Sequence, residues 1–205
     1  MLFRIVLSLL FLLTANLTFA APTLLVLGDS LSAGYGIGKE QSWPALLAQR
    51  LKAEGYPHTV VNLSISGETT QGGASRLPAA ITQHRPAILI LALGANDGLR
   101  GLPIAQMRHN LATMLRLSQT AQTRVLLVGM RLPPNYGPVY EQAFAASYTE
   151  LAKEHKVALH PFLLEGLAEN RSAFLADGLH PTAASQPLIL KNLWPRLKPL
   201  LNKPR

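Results

Sequence analysis

The chain has 205 residues, 48% of them hydrophobic and 15% charged, which suits one domain with its own core and excludes a disordered chain. It has no cysteine, which excludes disulfides, thiolate metal sites, a cysteine nucleophile and lipid attachment through cysteine. The formal charge is +8, but the basic residues are scattered and cluster only at Lys198, Lys203 and Arg205; with 6% aromatic residues, a solvated basic surface is expected and no nucleic-acid partner.

The first twenty residues read as a secretory signal. Arg4 gives a positive start, Ile5 to Leu13 form a short apolar run, and Thr18-Phe19-Ala20 ends in a small residue suited to cleavage after Ala20. The run is too short to span a bilayer, and Asn16 interrupts the segment beyond it. The expectation is a domain over residues 21–205, periplasmic or secreted.

Five apolar runs come next: Thr23 to Leu27, Thr59 to Leu63, Ala87 to Leu93, Arg124 to Val128, and a short one at Val157 to His160. They are continuous rather than alternating, as expected of strands buried on both faces. Helical patterns lie between and after them. Ser42 is placed to cap a helix carrying Trp43, Leu46, Leu47 and Leu51, with Gly55 at its stop. Pro103 opens a second, striped by Ile104, Met107, Leu111, Met114 and Leu115. Pro138 opens a third with Tyr140, Phe144, Tyr148 and Leu151. A last one carries Leu190, Leu193, Trp194 and Leu197, and Pro187 and Pro195 must begin, kink or end it. The alternation predicts an α/β fold, a three-layer α/β/α sandwich around a five-stranded parallel sheet.

Ligands of such sheets bind beyond the carboxyl ends of the strands. The exits carry Gly28-Asp29-Ser30-Leu31-Ser32, then Ser64 to Thr69 around Gly67, then Gly94-Ala95-Asn96-Asp97-Gly98, then Pro133 to Gly137, and finally Asp177-Gly178-Leu179-His180-Pro181. Acyl-bond hydrolysis needs a nucleophile, a base, a group that orients the base, and donors for the oxyanion. Ser30 follows a strand directly, His180 can take its proton, and Asp177 is three residues from His180, so one turn can present both. Gly67, Asn96 and the N–H of Ser30 are the candidate oxyanion donors. Singly each motif is weak; four of them in order on one sheet edge are not.

These four blocks resemble those of the SGNH (GDSL) hydrolase family, and the spacing, with Leu132-Pro133-Pro134-Asn135-Tyr136-Gly137, is similar to its branch of bacterial periplasmic thioesterase I, lysophospholipase and arylesterase enzymes. The likeness runs over nearly all of residues 22–201. It implies a flavodoxin-like fold, no cofactor, a triad of Ser30, Asp177 and His180, and an oxyanion hole of Ser30, Gly67 and Asn96; the sequence itself shows no metal spacing such as His-Glu-x-x-His, and no metal and no obligate protein partner are expected. Ala95 departs from the second glycine common in that branch and is expected to shift the Asn96 turn slightly. Ser64 and Ser66 are rival serines outside the family block, and the remaining histidines are expected on the surface or in packing.

The loop Gly98 to Leu102 is expected to move on its two glycines and to offer Leu99 to an acyl chain, while Tyr136 is expected to wall the site. Acyl esters and thioesters, aryl esters and lysophospholipids are the implied substrates, with transient contact to membrane lipid. The rival reading is a carbohydrate or peptidoglycan O-deacetylase, which would want a more polar groove.

Overall fold

Residues 21–201 are described by a computed structural model; the expected signal segment and Lys203 and Arg205 lie outside the described residues. The five strands are β1 (Thr23–Gly28), β2 (Thr59–Asn62), β3 (Ile88–Ala92), β4 (Arg124–Val128) and β5 (Ala158–His160). All pair in parallel, in the order β2-β1-β3-β4-β5. Each lies within a residue or so of its apolar run in the sequence.

Side chains along a strand alternate between the two faces, so each strand feeds two cores. Leu24, Val26, Ile88, Ile90, Leu126 and Val128 face one side and pack on α2 (Trp43–Ala53) and α7 (Gln186–Leu197) through Leu47, Leu51, Ile189 and Leu193. Leu25, Leu27, Leu89, Leu91, Val125 and Leu127 face the other side. They pack on α3 (Thr70–His84), α5 (Ile104–Thr120) and α6 (Pro138–His155) through Leu77, Leu111, Met114, Phe144 and Tyr148. This is the three-layer α/β/α sandwich.

The helix starts show local chemistry overridden by tertiary contacts. Ser42 occupies the N-cap of α2, but its hydroxyl donates to the Lys39 carbonyl, and the Trp43 N–H is met by Gln186 Oε1 at 3.0 Å. α3 has no counterpart among the helical patterns of the sequence, because Gly72, Gly73 and Pro78 all argue against a helix interior. Thr69 caps it, and Gly73 lets it lie directly on Leu93, where a Cβ would collide with that side chain. In α7, Pro187 sits in the first turn and Pro195 in the last.

Candidate active site

The exit of β1 turns at once into the one-turn helix α1 (Ser30–Ala33), so Ser30 stands at the sheet edge with its hydroxyl in a cleft. Asp29 caps α1, its carboxylate accepting the Leu31 N–H at 3.0 Å. Asp29 is 3% exposed. Burial pushes its carboxyl up to about 6, against the pull of the Leu31 N–H and of His180.

Asp177 and His180 lie on a tight loop closed by a bridge between Phe174 and Pro181, with Leu175 N–H donating to the His180 carbonyl at 2.8 Å. Asp177 Oδ1 accepts the N–H groups of Leu179 and His180 at 2.9 and 3.1 Å. Its Oδ2 lies 2.8 Å from His180 Nδ1, and His180 Nε2 lies 2.9 Å from Ser30 Oγ. The Leu179 N–H, the His180 ring and the His180 N–H hold the Asp177 carboxyl down at about 2. Arg171 donates to the carbonyls of Leu175 and Ala176, both at 2.7 Å, and so ties down the segment before Asp177. The three expected triad residues are therefore in one hydrogen-bonded line, although about 150 residues separate the serine from the other two.

Because β2 and β3 flank β1, the loops bearing Gly67 and Asn96 flank Ser30. Gly67 has φ +79. Neither its N–H nor that of Ser30 has a hydrogen-bond partner among the described residues. Asn96 does not sit in a turn but in the short helix α4 (Ala95–Leu99). Its Nδ2 donates to the Glu68 carbonyl at 3.0 Å, which fixes the amide and leaves its second N–H. Gly94 is the residue that cannot change here: its φ is +117, and a Cβ would collide with the Tyr148 hydroxyl. Ala95, by contrast, begins α4 and is buried there.

Two braces have no motif of their own in the sequence. Asp97 is 3% exposed and accepts the Thr70 N–H at 2.9 Å and the Thr70 hydroxyl at 2.5 Å. Asn110 adds a bond to that hydroxyl, which ties α3, α4 and α5 together under Asn96. Arg100 donates to the Gly67 carbonyl at 2.9 Å and so fixes the peptide next to that N–H. An acid directly after Asn96 is the one signal for the first; the second depends on tertiary placement.

The cleft over Ser30 and His180 has a volume of about 760 Å³. Leu99, Met130, Leu132, Phe162, Phe174 and Leu179 are among its apolar walls, and Asp29, Arg131, Glu169 and Arg171 line it with ionisable side chains. Leu99 faces it as expected. Tyr136 does not line it; the wall is built from Pro133 and Pro134, and the Tyr136 hydroxyl donates to the Leu99 carbonyl at 2.8 Å. The Gly98–Leu102 loop departs from the expected mobile strap. Gly98 is buried where a Cβ would lie 2.6 Å from Leu132 and Phe144, so it serves packing. Tyr136, Tyr140 and Arg100 pin the loop by hydrogen bonds. Among the described residues the serine hydrogen-bonded to His180 is Ser30, not Ser64 or Ser66, and His58 and His160 are buried.

A parallel sheet covered on both faces, with a serine, a histidine and a carboxylate aligned at its carboxyl edge, has the architecture of an α/β/α hydrolase. The chain belongs to the GDSL-like lipase/acylhydrolase family, whose model matches residues 26–186. It is 51% identical over 182 residues to an esterase, TesA, of Pseudomonas aeruginosa, covering 89% of this chain and 90% of that one. It is 44% identical to the thioesterase 1/protease 1/lysophospholipase L1 of Escherichia coli, covering 94% and 92%. Among solved structures, a crystal structure of TesA matches with a TM-score of 0.86 over 87% of this chain and 99% of that one. The psychrotrophic esterase EstA from Pseudoalteromonas, inhibited by monoethylphosphonate, matches at 38% identity with a TM-score of 0.83, covering 86% and 97%. The chain is a hydrolase of ester bonds.

Proposed function

We propose that this chain cleaves carboxylic esters and thioesters of acyl chains, aryl esters and lysophospholipids among them, through a Ser30–His180–Asp177 triad and an acyl-enzyme. The observation that carries this is the Ser30–His180–Asp177 line at the base of a largely apolar cleft. With Asp177 ionised, Nδ1 of His180 keeps its proton and donates to the carboxylate, so Nε2 is free to accept from Ser30. Ser30 Oγ attacks the substrate carbonyl carbon while its proton passes to Nε2. The oxyanion is received by the N–H groups of Ser30 and Gly67 and by Asn96 Nδ2, each worth ~10²–10³ in turnover by the usual cost of losing one donor. His180 then gives the proton to the departing alkoxide or thiolate, leaving Ser30 acylated. A water, deprotonated by the same Nε2, attacks the acyl-enzyme and restores the serine.

The apolar cleft walls favour an acyl chain over a sugar, as do exposed Ile65, Leu102 and Leu179 on loops and exposed Val139 in the first turn of α6. These exposed residues are also the surface that would touch lipid transiently. The N-terminal segment through Ala20 supports export to the periplasm or beyond, where cytosolic acyl-CoA is not met. The test is p-nitrophenyl esters of increasing chain length, with mass spectrometry of the quenched enzyme. A burst and a Ser30-bound acyl group, both absent in Ser30→Ala, are expected. Equal rates in wild type and Ser30→Ala would end the proposal, and turnover of acetyl esters alone would favour the O-deacetylase reading.

A further inference from the structure

We infer that Tyr35 is a positioning residue for His180, its ring face stabilising the imidazolium that forms each time Ser30 is deprotonated. The inference rests on the proposed triad and extends it to a residue outside the triad. Both edges of the His180 ring are occupied: Nδ1 by Asp177 at 2.8 Å and Nε2 by Ser30 at 2.9 Å. Further stabilisation of a positive ring must come over its face. Tyr35 lies there, with ring centroids 4.3 Å apart and planes inclined by 37°. The face of a phenol ring carries the negative part of its quadrupole and attracts a cation at this range.

The placement is built by the backbone rather than by burial. Tyr35 is 52% exposed. It sits in the turn that ends α1, between Gly34 and Gly36 with φ +77 and +74, and its N–H donates to the carbonyl of Ser30 itself. The nucleophile and the ring that covers its base thus stand on one short segment. The backbone at Gly36 also lies against Leu175 of the loop that bears His180. The Tyr35 hydroxyl has no hydrogen-bond partner among the described residues, so the ring and not the hydroxyl is the working part.

Other groups act on the same imidazole and set the background. Asp177 faces Nδ1, the Ser30 hydroxyl faces Nε2, and the buried Asp29 carboxyl acts through space from the start of α1. Arg171 stands against Gly178 and lines the same cleft with Arg131 and Glu169. None of these is altered by a change at Tyr35.

The experiment is the pH profile of p-nitrophenyl butyrate hydrolysis for wild type, Tyr35→Phe and Tyr35→Leu. Tyr35→Phe is expected to match wild type. Tyr35→Leu is expected to lose about two- to fivefold in kcat, from the usual strength of an exposed cation–π contact. Its acid limb should move to lower pH by about 0.3–0.7 unit, because the same stabilisation is removed from the protonated ring. A residue that merely fills space would lower kcat without moving that limb. An unshifted limb, a shift to higher pH, or a defect in Tyr35→Phe equal to that of Tyr35→Leu overturns the inference. Phenylalanine analogues with increasing fluorination at position 35 keep the shape and weaken the ring face, so kcat should fall in step with fluorination, and a flat series also overturns it. Ser30→Ala in the same assay separates the two levels: activity there defeats the triad reading, whereas a pH-silent Tyr35→Leu beside an inactive Ser30→Ala defeats only the role of Tyr35.

Discussion

Replacing Asp29 by asparagine should make the protein more stable at neutral pH and less active. The carboxyl is buried, and its value rises from 3.8 to about 6, with burial the leading cause. Above pH 6 both the folded and the unfolded chain carry the charge, and the folded chain bears the full cost of burying it. Between 3.8 and about 6 the folded chain binds the proton first, so this cost fades as pH falls, and below 3.8 it is gone. A shift of about two units corresponds to roughly 3 kcal/mol at 1.36 kcal/mol per unit. Asparagine fills the same space and its Oδ1 can still accept the Leu31 N–H, so most of that difference should appear as a gain. Urea unfolding of wild type and Asp29→Asn at pH 8 and pH 4 checks it. The variant should be more stable by about 1–3 kcal/mol at pH 8, with the margin shrinking towards zero at pH 4. A variant that is less stable at pH 8, or a margin independent of pH, refutes the reasoning. The activity loss has a separate origin: the Asp29 charge attracts protonated His180, so its removal disfavours the imidazolium. The costly charge stands where it would assist the proposed base.

Asp177→Asn should fold normally yet lose about 10⁴ in kcat, because an amide no longer selects the Nδ1–H tautomer of His180; steady-state rates and a melting curve together check this. Gly94→Ala should lose both stability and activity, since the new Cβ meets the Tyr148 hydroxyl and the backbone is at φ +117; unfolding midpoints and p-nitrophenyl butyrate rates read both. His58 is buried with neither ring nitrogen hydrogen-bonded, and burial lowers its value from 6.5. The unfolded chain therefore takes up that proton first, and stability is lost as pH falls below the ordinary imidazole value. His58→Leu should gain on wild type between pH 7.5 and 5 in chemical unfolding. Chelators should leave the rate on p-nitrophenyl esters unchanged, since the proposed steps use no metal.

The strands were legible because burial on both faces leaves continuous apolar runs, and the loops after β1, β2 and β3 were legible because each carries small polar residues directly after such a run. α3 was not, since Thr70 to His84 has two glycines and a proline where a helix interior is built. Those glycines answer to the neighbour: Gly73 exists for Leu93, and no local rule reports that. The same limit explains Gly98, which reads as a hinge and is a packing contact with Phe144. Tyr136 illustrates a third case. Its residue type suggests a wall, but only the fold shows its hydroxyl turned to the Leu99 carbonyl while prolines line the cleft.

The strand order has a consequence for how such a protein can be altered. The proposed nucleophile and oxyanion donors come from the exits of β1, β2 and β3, three neighbours on one half of the sheet, and Asp177 and His180 reach them from the loop that follows β5. The walls at Met130, Leu132, Pro133, Pro134 and Phe162 come after β4 and β5 on the other half. These walls thus lie on stretches of chain apart from Ser30, Gly67 and Asn96, with His180 reaching across to Ser30. Redrawing the far bank for a bulkier or shorter acyl group leaves the near bank's hydrogen bonds in place, so the choice of ester can drift while the chemistry stays still.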